Sequence, residues 1–452
     1  MRNRSTRGSR FVFLHPEGYG LTKELGFLSE HYNKIAEVNI PGLMFPFKRI
    51  LHFDNNDTVE PHLQSYRWII LAIVWLLYAA FGLNMRSISP VVTPMLSDLE
   101  MSYGEMGFIL GSWQLVYIPI SIIAGIAMDK WGIRKTLFAG ALILALSEGL
   151  RYFATGFVTL LPMVALFGIG GPLISIGAPK AISVWFRGND RATAVGIYTT
   201  APWIGGLFAI AATNSLIMPL TGYSWRFTFV FYSLLTLVFA SIWWLFARDA
   251  RQAEDLSKTS IKDVFIRLLR VHNVRIILFA GLLTLFIEHG FTHWLPKMLE
   301  NSGISPEVAG FMASAPLIAA IPSVLFLPRL VPRRLRGRFL SLLAFLISVG
   351  LLISFTASSW ILIAGLILYG VAASTLIPML MLILMDDPQV GSENMGLAGG
   401  IFFAIAEIGG FAGPLLMGIM VDVTGAFLVG VLLLASMGLI LCASMFLLRK
   451  PK

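Results

Sequence analysis

The sequence predicts an all-α integral membrane protein with about twelve transmembrane helices, arranged as two pseudo-symmetric six-helix halves. Hydrophobic residues make up 56% and charged residues only 13% of its 452 residues, whereas roughly 25% of residues are charged in a soluble domain. The hydrophobic residues form long runs, close to the ~20 residues that cross a bilayer as a helix. These runs are rich in Leu, Ile and Ala without strict alternation, which favours helices over a β-barrel.

The apolar runs begin near Tyr66 and continue almost to the C-terminus. The length criterion predicts spans at about 66–89, 103–128, 136–154, 158–182, 192–216, 224–247, 274–297, 306–328, 338–357, 360–384, 395–418 and 424–448. Short polar loops separate most neighbouring spans. We therefore expect the chain to cross the membrane repeatedly along most of its length.

Basic residues lie in alternate loops, so the net charge of +9 indicates membrane topology rather than nucleic-acid binding. One set of loops and the C-terminus hold Lys130, Arg134, Lys135, Arg187, Arg191, Arg329, Arg333, Arg334, Arg336, Arg449, Lys450 and Lys452. The opposite loops hold little beyond Lys297. Because cytoplasmic loops are enriched in Lys and Arg, this asymmetry predicts a multi-pass cell-membrane protein with both termini in the cytoplasm.

The predicted spans divide six and six around one long charged loop. This gives a cytosolic N-terminal extension at 1–65, expected to be disordered, a half at 66–247, a cytoplasmic linker at 248–273 and a half at 274–452. The extension lacks the apolar core of a signal peptide. An internal repeat supports the division, because ATAVGIYTTAPWIGGLFA from Ala192 matches AGGIFFAIAEIGGFAG from Ala398. Repeated halves are typical of transporters that work by alternating access.

The loop between the second and third spans reads Gly125-Ile-Ala-Met-Asp129-Lys-Trp-Gly132-Ile-Arg134-Lys135. Its glycines permit close helix approach and a tight turn, and its aspartate can pair with a cation or a helix N-terminus. The pattern resembles the signature loop of the major facilitator superfamily, with an ordinary positive-inside loop as the alternative. The resemblance implies the major facilitator fold and a cytoplasmic gate. It assigns to that gate Gly125, Asp129, Gly132, Arg134 and Lys135.

A first charged candidate lies near the end of the first span, in LNMRSISPVVTPML. This stretch resembles superfamily branches that carry small organic anions, namely the anion:cation symporters and the cyanate-type transporters. We interpret Asn84 and Arg86 as solute-binding candidates, because a guanidinium can hold a carboxylate through two parallel hydrogen bonds. The alternative is an arginine that extends to the membrane interface. The symporters usually carry an aspartate before this arginine, where Met85 stands here.

The stretch FIEHGFTHWLPKML lies in the seventh span, which lines the cavity of this fold together with the first. His289 and His293 share a helix face, since they are four residues apart, and Glu288 adjoins them. Because ionisable side chains are costly inside a membrane, we interpret all three as solute-binding candidates, and Glu288 also as a proton-coupling one. Histidines held in the core by their neighbours are the alternative. Two histidines make an incomplete metal site, so we expect no metal.

Glu407 lies about halfway along the eleventh span, in AIAEIGGFAG. Burial favours the neutral form of a carboxyl group, which lets it load and release a proton near neutral pH. We therefore predict a proton-coupling role for Glu407, with a structural partner of a buried cation as the alternative. Glu148 and Arg151 are three residues apart in the third span, and we interpret them as a structural pair.

Together these features predict a secondary active transporter that takes up a small organic anion by alternating access, coupled to an ion that we expect to be the proton. The fifth span holds Ala201-Pro202-Trp-Ile-Gly205-Gly206, close to a motif of drug antiporters, so a proton-driven exporter of drugs or metabolites is the alternative. A non-transporting receptor is less favoured, because no sizeable signalling segment is visible. We expect no catalysis, no cofactor and no nucleic-acid partner, since no nucleophile with a base and no phosphate loop stands out.

Overall fold

A computed structural model describes residues 61–248, 268–356, 359–387, 390 and 395–448, and every regular element within these ranges is a helix. The side chains that it leaves undescribed in these ranges are those of 61–65, 122, 126, 129, 189, 359 and 395–397. The predicted N-terminal extension up to residue 60 and residues 249–267 of the predicted linker lie outside the described residues. The side chain of Asp129, the predicted gate aspartate, also lies outside them.

Twelve long helices follow one another in the described part of the chain. They are α1, Pro61–Arg86; α2, Tyr103–Trp131; α3, Ile133–Leu150; α4, Phe157–Trp185; α5, Asp190–Leu220; α6, Trp225–Phe246; α7, His272–Thr292; α8, Pro306–Leu330; α9, Arg336–Thr356; α10, Ser359–Asp386; α11, Met395–Thr424; and α12, Leu428–Met445. Eleven of the described helices are long and apolar enough to cross a membrane. The remaining long helix, α2, has 29 residues, and at ~1.5 Å of rise per residue it is long enough to cross the membrane. The predicted all-α membrane fold with about twelve spans is confirmed.

We call α1–α6 the first half and α7–α12 the second half. The first helix of each half is followed by a short helix, Val92–Asp98 after α1 and Leu295–Asn301 after α7. Pro296 lies in the first turn of the second of these, where a proline is tolerated because that position has no helical hydrogen bond to lose. The two halves therefore share a local arrangement that goes beyond the repeat in α5 and α11.

The repeat itself corresponds to the same backbone contact in each half. A Cβ on Gly205 of α5 would lie under 3.0 Å from the carbonyl oxygen of Ala79 on α1. A Cβ on Gly409 of α11 would lie equally close to the carbonyl oxygen of Leu282 on α7. Small residues at such points let helix backbones touch. The repeated glycines therefore pack the fifth helix of each half against the first.

Alanine at Gly205 or Gly409 is expected to lower the thermal unfolding midpoint, because its Cβ would force two packed backbones apart. Overpacking of this kind costs about 1–3 kcal/mol or more. Gly196→Ala is the control, since no atom lies within 4 Å of a Cβ there, and alanine is better than glycine in a helix by roughly 0.5–1 kcal/mol. Thermal unfolding of the purified variants in one detergent measures the difference. Equal midpoints for Gly409→Ala and Gly196→Ala would contradict the packing argument.

The two halves do not touch equally on both sides of the bundle. We call the side where α1 ends and α2 begins the α1–α2 side, and the opposite one the α2–α3 side. A Cβ on Gly111 of α2 would lie 2.7 Å from the carbonyl oxygen of Phe411 on α11. Farther towards the α2–α3 side, Gly125 of α2 and Gly399 of α11 have no atom within 4 Å of a Cβ position. Among the glycines of α2 and α11, close packing against the other helix is therefore found in the α1–α2 part of both helices.

Candidate functional site

Arg86 is the last residue of α1 and bridges the two halves through α7. Its side chain is only 2% exposed. Arg86 Nη2 donates a hydrogen bond to Glu288 Oε1 at 2.8 Å, and Nη1 donates to Thr292 Oγ1. Glu288 and Thr292 are four residues apart on α7 and therefore share one face. The first and seventh helices thus meet at a buried, charge-balanced polar contact.

Arg86 and Glu288 line a cavity with about 290 Å³ of empty space, which we call the central cavity. The rest of its lining is mostly apolar and consists of Trp203, Thr292, Pro316, Leu317, Ala320, Tyr369, Gly370, Ala373 and Ser374. Two buried atoms here have no hydrogen-bond partner among the described residues, namely Arg86 Nε and the Tyr369 hydroxyl. Small-molecule sites are commonly apolar cavities with a few placed polar groups. The central cavity has this character, with Arg86 as its cationic group.

Glycines of α1 and α5 make room for the Arg86 side chain. A Cβ on Gly206 would lie 3.2 Å from Arg86 Cγ, and a Cβ on Gly82 would lie under 3.0 Å from the backbone of Pro202. Because α1 and α5 approach through their backbones, the stem of Arg86 packs directly on α5. The glycines of the antiporter-like motif in the fifth span therefore serve the packing around Arg86.

Glu407, His289 and Gln114 meet around Gly410 of α11. A Cβ placed on Gly410 would lie 2.8 Å from Glu407 Oε2, 3.3 Å from His289 Nδ1 and 3.4 Å from Gln114 Nε2. Gln114 Nε2 and His289 Nδ1 are 2.6 Å apart, and Glu407 Oε2 has no partner among the described residues. A carboxyl group, an imidazole and an amide from α11, α7 and α2 therefore lie around one glycine, with the carboxyl oxygen not hydrogen-bonded to the other two. We call this set the Gly410 cluster.

Asn84 and His293, the other predicted binding residues, do not line the central cavity. Asn84 Nδ2 donates to the carbonyl oxygen of Ala80 at 3.0 Å and to Thr236 Oγ1 at 3.3 Å. His293 Nδ1 is 3.2 Å from Ser89 Oγ. Both residues line a second cavity, with about 260 Å³ of empty space. The predicted binding residues are thus divided between the central cavity, the Gly410 cluster and this second cavity.

Glu148 and Arg151 form a buried ion pair, as expected for a structural pair. Arg151 Nη1 donates to Glu148 Oε2 at 3.1 Å, and Ser87 Oγ donates to Glu148 Oε1 at 2.8 Å. Arg151 Nη2 donates to Ser147 Oγ at 3.3 Å. Since Glu148 and Arg151 balance each other's charge and both Nη atoms of Arg151 are bonded, the pair ties α3 to the residue that follows α1.

Three contributors to these sites were missed by the sequence analysis, namely Thr292, Tyr369 and Gln114. Thr292 follows Glu288 by four residues, and that helical spacing was a usable signal. Tyr369 of α10 and Gln114 of α2 reach their sites only through packing of distant helices. No local pattern in the sequence distinguishes them from other polar residues.

The predicted gate motif lies on the α2–α3 side. Gly132 has a φ of 82°, a conformation that favours glycine, so the expected tight turn is present. Arg134 Nη2 donates to the carbonyl oxygen of Trp244 at 2.6 Å, and its guanidinium lies 4.7 Å from the Trp244 ring centroid. Arg134 therefore joins α3 to α6, while Lys135 is exposed. No described atom lies within 4 Å of a Cβ position on Gly125, so the described residues do not show the helix contact expected there.

Polar contacts join the two halves on the α1–α2 side. The backbone N–H groups of Tyr103 and Gly104 donate to Asp422 Oδ1 and Oδ2 at 2.9 and 2.6 Å. These N–H groups begin α2 and have no partner within the helix, and a negative charge is favourable at a helix N-terminus. Asn214 of α5 donates to the carbonyl oxygen of Pro306 at 3.2 Å. The second half therefore caps α2 of the first half, and this closes the α1–α2 side.

Asp422→Ala is expected to open the α1–α2 side more often, because it removes the acceptor for two N–H groups of α2. Loss of such a cap costs about 0.5–2 kcal/mol. The measurement is the rate at which a cysteine placed at Ser89, in a Cys442→Ser background, reacts with a membrane-impermeant thiol reagent. Ser89 is 1% exposed and contacts His293 of the other half, so opening must raise the rate.

Asp98→Ala is the matched control for that experiment. Asp98 lies on the same side but pairs with Arg226 of its own half, so its loss leaves the contact between the halves intact. An unchanged reaction rate in Asp422→Ala, or an equal increase in Asp98→Ala, would rule out the capping contact as a determinant of closure.

Comparison with known proteins yields a family and several relatives. The sequence matches the profile of the family described as Major Facilitator Superfamily over residues 74–391 and 298–452. A hexuronate transporter of Bacillus subtilis (strain 168) is 27% identical over 411 residues, which cover 84% of this chain and 94% of the relative. A D-galactonate transporter of Escherichia coli O6:H1 is 23% identical over 289 residues, which cover 57% of this chain and 65% of the relative. A solved structure of a D-xylose-proton symporter aligns with a TM-score of 0.70 at 16% identity, covering 86% of this chain and 98% of that one. This last likeness concerns the fold alone.

Proposed function

We propose that this chain, which belongs to the Major Facilitator Superfamily, takes up a small organic anion across the cell membrane by coupling it to a proton gradient. The observation that carries the proposal is the buried guanidinium of Arg86 in a mostly apolar cavity between the halves. The relatives described above are named for hexuronate and D-galactonate, which are carboxylates with several hydroxyl groups. We therefore propose sugar acids as the solute class.

Arg86 holds the carboxylate of the solute in this proposal. A planar guanidinium can donate two parallel hydrogen bonds to a carboxylate, but Glu288 occupies one of its Nη atoms in the absence of solute. The solute and Glu288 therefore compete for Arg86. Protonation of Glu288 removes its negative charge and frees Arg86, so that a proton and an anion enter the cavity together.

This competition accounts for the departure at Met85. The anion:cation symporters that the first span resembles usually carry an aspartate at that position, next to the arginine. Here the carboxylate beside Arg86 comes instead from Glu288 of α7. A carboxylate from the other half can also neutralise the charge of Arg86. Whether Arg86 is paired then depends on how the two halves pack against each other.

Glu288→Gln is expected to strengthen solute binding. Without the competing carboxylate, Arg86 is left as a buried charge that only the solute can neutralise, and we expect about 10-fold tighter binding, equivalent to ~1.4 kcal/mol. Solute-induced thermal stabilisation of the purified variant and of the wild-type protein tests this. Unchanged or weaker binding by Glu288→Gln would refute the competition.

The coupling proton is assigned to Glu407 and the Gly410 cluster together with Glu288. The Oε2 atom of Glu407 has no partner in the described residues. His289 of the same cluster directly precedes Gly290 and follows Glu288 on α7. The Gly410 cluster therefore brings Glu407 of α11 next to α7, the helix that carries Glu288.

Alternating access follows from the contacts in each half. In the present conformation Asp422 and Asn214 join the halves on the α1–α2 side, while towards the α2–α3 side no described atom lies within 4 Å of a Cβ on Gly125 or Gly399. We propose that the α2–α3 side faces the cytoplasm, because its loops carry most of the basic residues. Closure of that side would bring the gate motif around Asp129 and Arg134 against the second half.

Uptake of labelled acids into proteoliposomes tests the proposal. The panel consists of D-glucuronate, D-galacturonate, D-galactonate, hexanoate and nitrate, each with and without an inward proton gradient. Gradient-stimulated uptake of the sugar acids would support it. If correctly folded protein takes up none of these anions but expels hydrophobic compounds from loaded vesicles, the export alternative replaces it.

A further inference from the structure

We infer that the second cavity is a binding site for one neutral hydroxyl group, supplied by a water molecule or by the solute. The cavity lies between α1, α2, α4, the residue after α7 and the turn after α3, and its lining includes Asn84, Trp113, Arg151 and His293. None of its lining residues lines the central cavity. It is therefore a separate site and not an extension of the one around Arg86.

Four residues of this lining each have one buried polar atom without a hydrogen-bond partner among the described residues. These atoms are Asn84 Oδ1, Trp113 Nε1, Arg151 Nε and His293 Nε2. Their residues are 3%, 4%, 1% and 1% exposed, so bulk water does not reach them. Well over nine-tenths of buried polar groups in proteins have a partner, and each exception calls for an explanation. Four exceptions around one cavity are explained together by one bound group.

The chemistry of these atoms selects a hydroxyl group. The indole N–H and the guanidinium Nε–H can only donate, the amide oxygen can only accept, and a neutral imidazole nitrogen can do either. A hydroxyl or a water both accepts and donates, and an ordered buried water typically has about three partners. The empty space of about 260 Å³ includes open solvent, and the part that a water-sized sphere can enter is about 10 Å³, which is close to the least that one water or hydroxyl group needs.

A charged ligand does not fit this site. The charge of Arg151 is already balanced by Glu148, and both of its Nη atoms donate to neighbouring side chains. Only its Nε atom is left for a ligand, so Arg151 cannot donate two parallel hydrogen bonds to a carboxylate. An anion here would add an uncompensated buried charge, which is costly.

Two sources can supply the hydroxyl group. One is a resident water that links Asn84 and Trp113 of the first half to His293 of the second. The other is a hydroxyl of a bound sugar acid, and this source rests on the function proposed above. His293 directly follows Thr292, which holds Arg86, so a solute bound at Arg86 lies next to the wall between the two cavities.

Trp113→Phe, compared with Trp294→Phe, tests the inference. Both tryptophans are buried, at 4% and 0% exposure, and both lose the same volume, but Trp294 Nε1 donates to the carbonyl oxygen of Pro414 at 3.0 Å. Thermal unfolding is followed by a thiol-reactive dye on Cys442, the single cysteine of the chain. Midpoints are measured without anion, with D-glucuronate and with hexanoate.

If water fills the site, Trp113→Phe loses a hydrogen bond just as Trp294→Phe does, and both midpoints fall by a similar few degrees without anion. If a solute hydroxyl fills it, Trp113→Phe falls less without anion but loses the extra stabilisation that D-glucuronate gives over hexanoate. If Trp113→Phe falls less and keeps that extra stabilisation, the cavity is empty and the inference is overturned. Failure of both anions to stabilise the wild-type protein would count against the proposed function, and the comparison without anion would then test water alone. A similar fall of both variants would still assign the site to water, whereas a smaller fall of Trp113→Phe would overturn the inference, because no solute hydroxyl would remain as a source.

Discussion

Replacing Arg86 with alanine is expected to abolish uptake of sugar acids. The guanidinium is the one cationic group in the lining of the central cavity, and it is 2% exposed and paired with Glu288. Removing one partner of a buried, hydrogen-bonded charge pair costs about 2–5 kcal/mol, which corresponds to roughly 30-fold or more in affinity. The initial rate of uptake into proteoliposomes, at equal amounts of inserted protein, measures the loss.

Two further variants distinguish a role of Arg86 in solute binding from a general loss of protein stability. Arg86→Lys keeps the positive charge but loses the planar pair of donors, so we expect partial activity, between the wild-type protein and Arg86→Ala. Arg226→Ala removes an arginine that pairs with Asp98 on the α1–α2 side, away from the central cavity, and uptake should persist. Undiminished uptake by Arg86→Ala would remove Arg86 from the binding site.

Most of the fold could be predicted from the sequence, because the membrane imposes requirements that local composition records. A helix must be about twenty apolar residues long to cross the bilayer, and helix packing through backbones requires small residues. The second requirement explains why Gly205 and Gly409 repeat in α5 and α11. The π-helical turn Thr213–Ile217 in α5 could not be predicted from a local pattern, and its Asn214 donates to the carbonyl oxygens of Pro90 and Pro306, both far away in the sequence.

The candidate site could be predicted only in part. Arg86, Glu288 and Glu407 stand out in the sequence because ionisable residues are costly in the membrane. That Arg86 pairs with Glu288, 202 residues away, depends on the packing of α1 against α7, for which no local pattern exists. Asn84 and His293 carry the same kind of sequence signal and yet line a different cavity. Their assignment to solute binding stays a prediction, as does the role of every site residue.

The gate motif shows a different limit of sequence reasoning. A glycine such as Gly125, in the motif between two spans, suggests a close helix contact, yet no described atom lies within 4 Å of a Cβ position there. A transporter that alternates between two closed sides packs some residues only in one of its conformations. The sequence carries the requirements of both conformations together, so it cannot tell which contacts coexist.

Glu407→Gln is expected to abolish proton-driven accumulation of the solute while leaving exchange of solute across the membrane intact. Glutamine has nearly the shape of a protonated glutamate but cannot release a proton, so the loaded form of the carrier would be permanent. Glu407 is 8% exposed and lies in the Gly410 cluster with His289 and Gln114. Its replacement therefore removes the acid that can load and unload a proton without removing the Arg86 contact. Accumulation under an inward proton gradient and counterflow of labelled against unlabelled solute measure the two activities separately.

Glu300→Gln is the matched control for this prediction. Glu300 is also partly buried, and it accepts a hydrogen bond from Thr93 of the other half. It does not line the central cavity and does not belong to the Gly410 cluster. We expect Glu300→Gln to retain gradient-driven accumulation. If Glu407→Gln accumulates solute as well as the wild-type protein, the carboxyl group is structural and Glu288 alone must carry the proton. If Glu407→Gln loses counterflow as well, Glu407 is needed for movement of the halves rather than for the proton, because exchange requires the carrier to change sides but no net proton transfer.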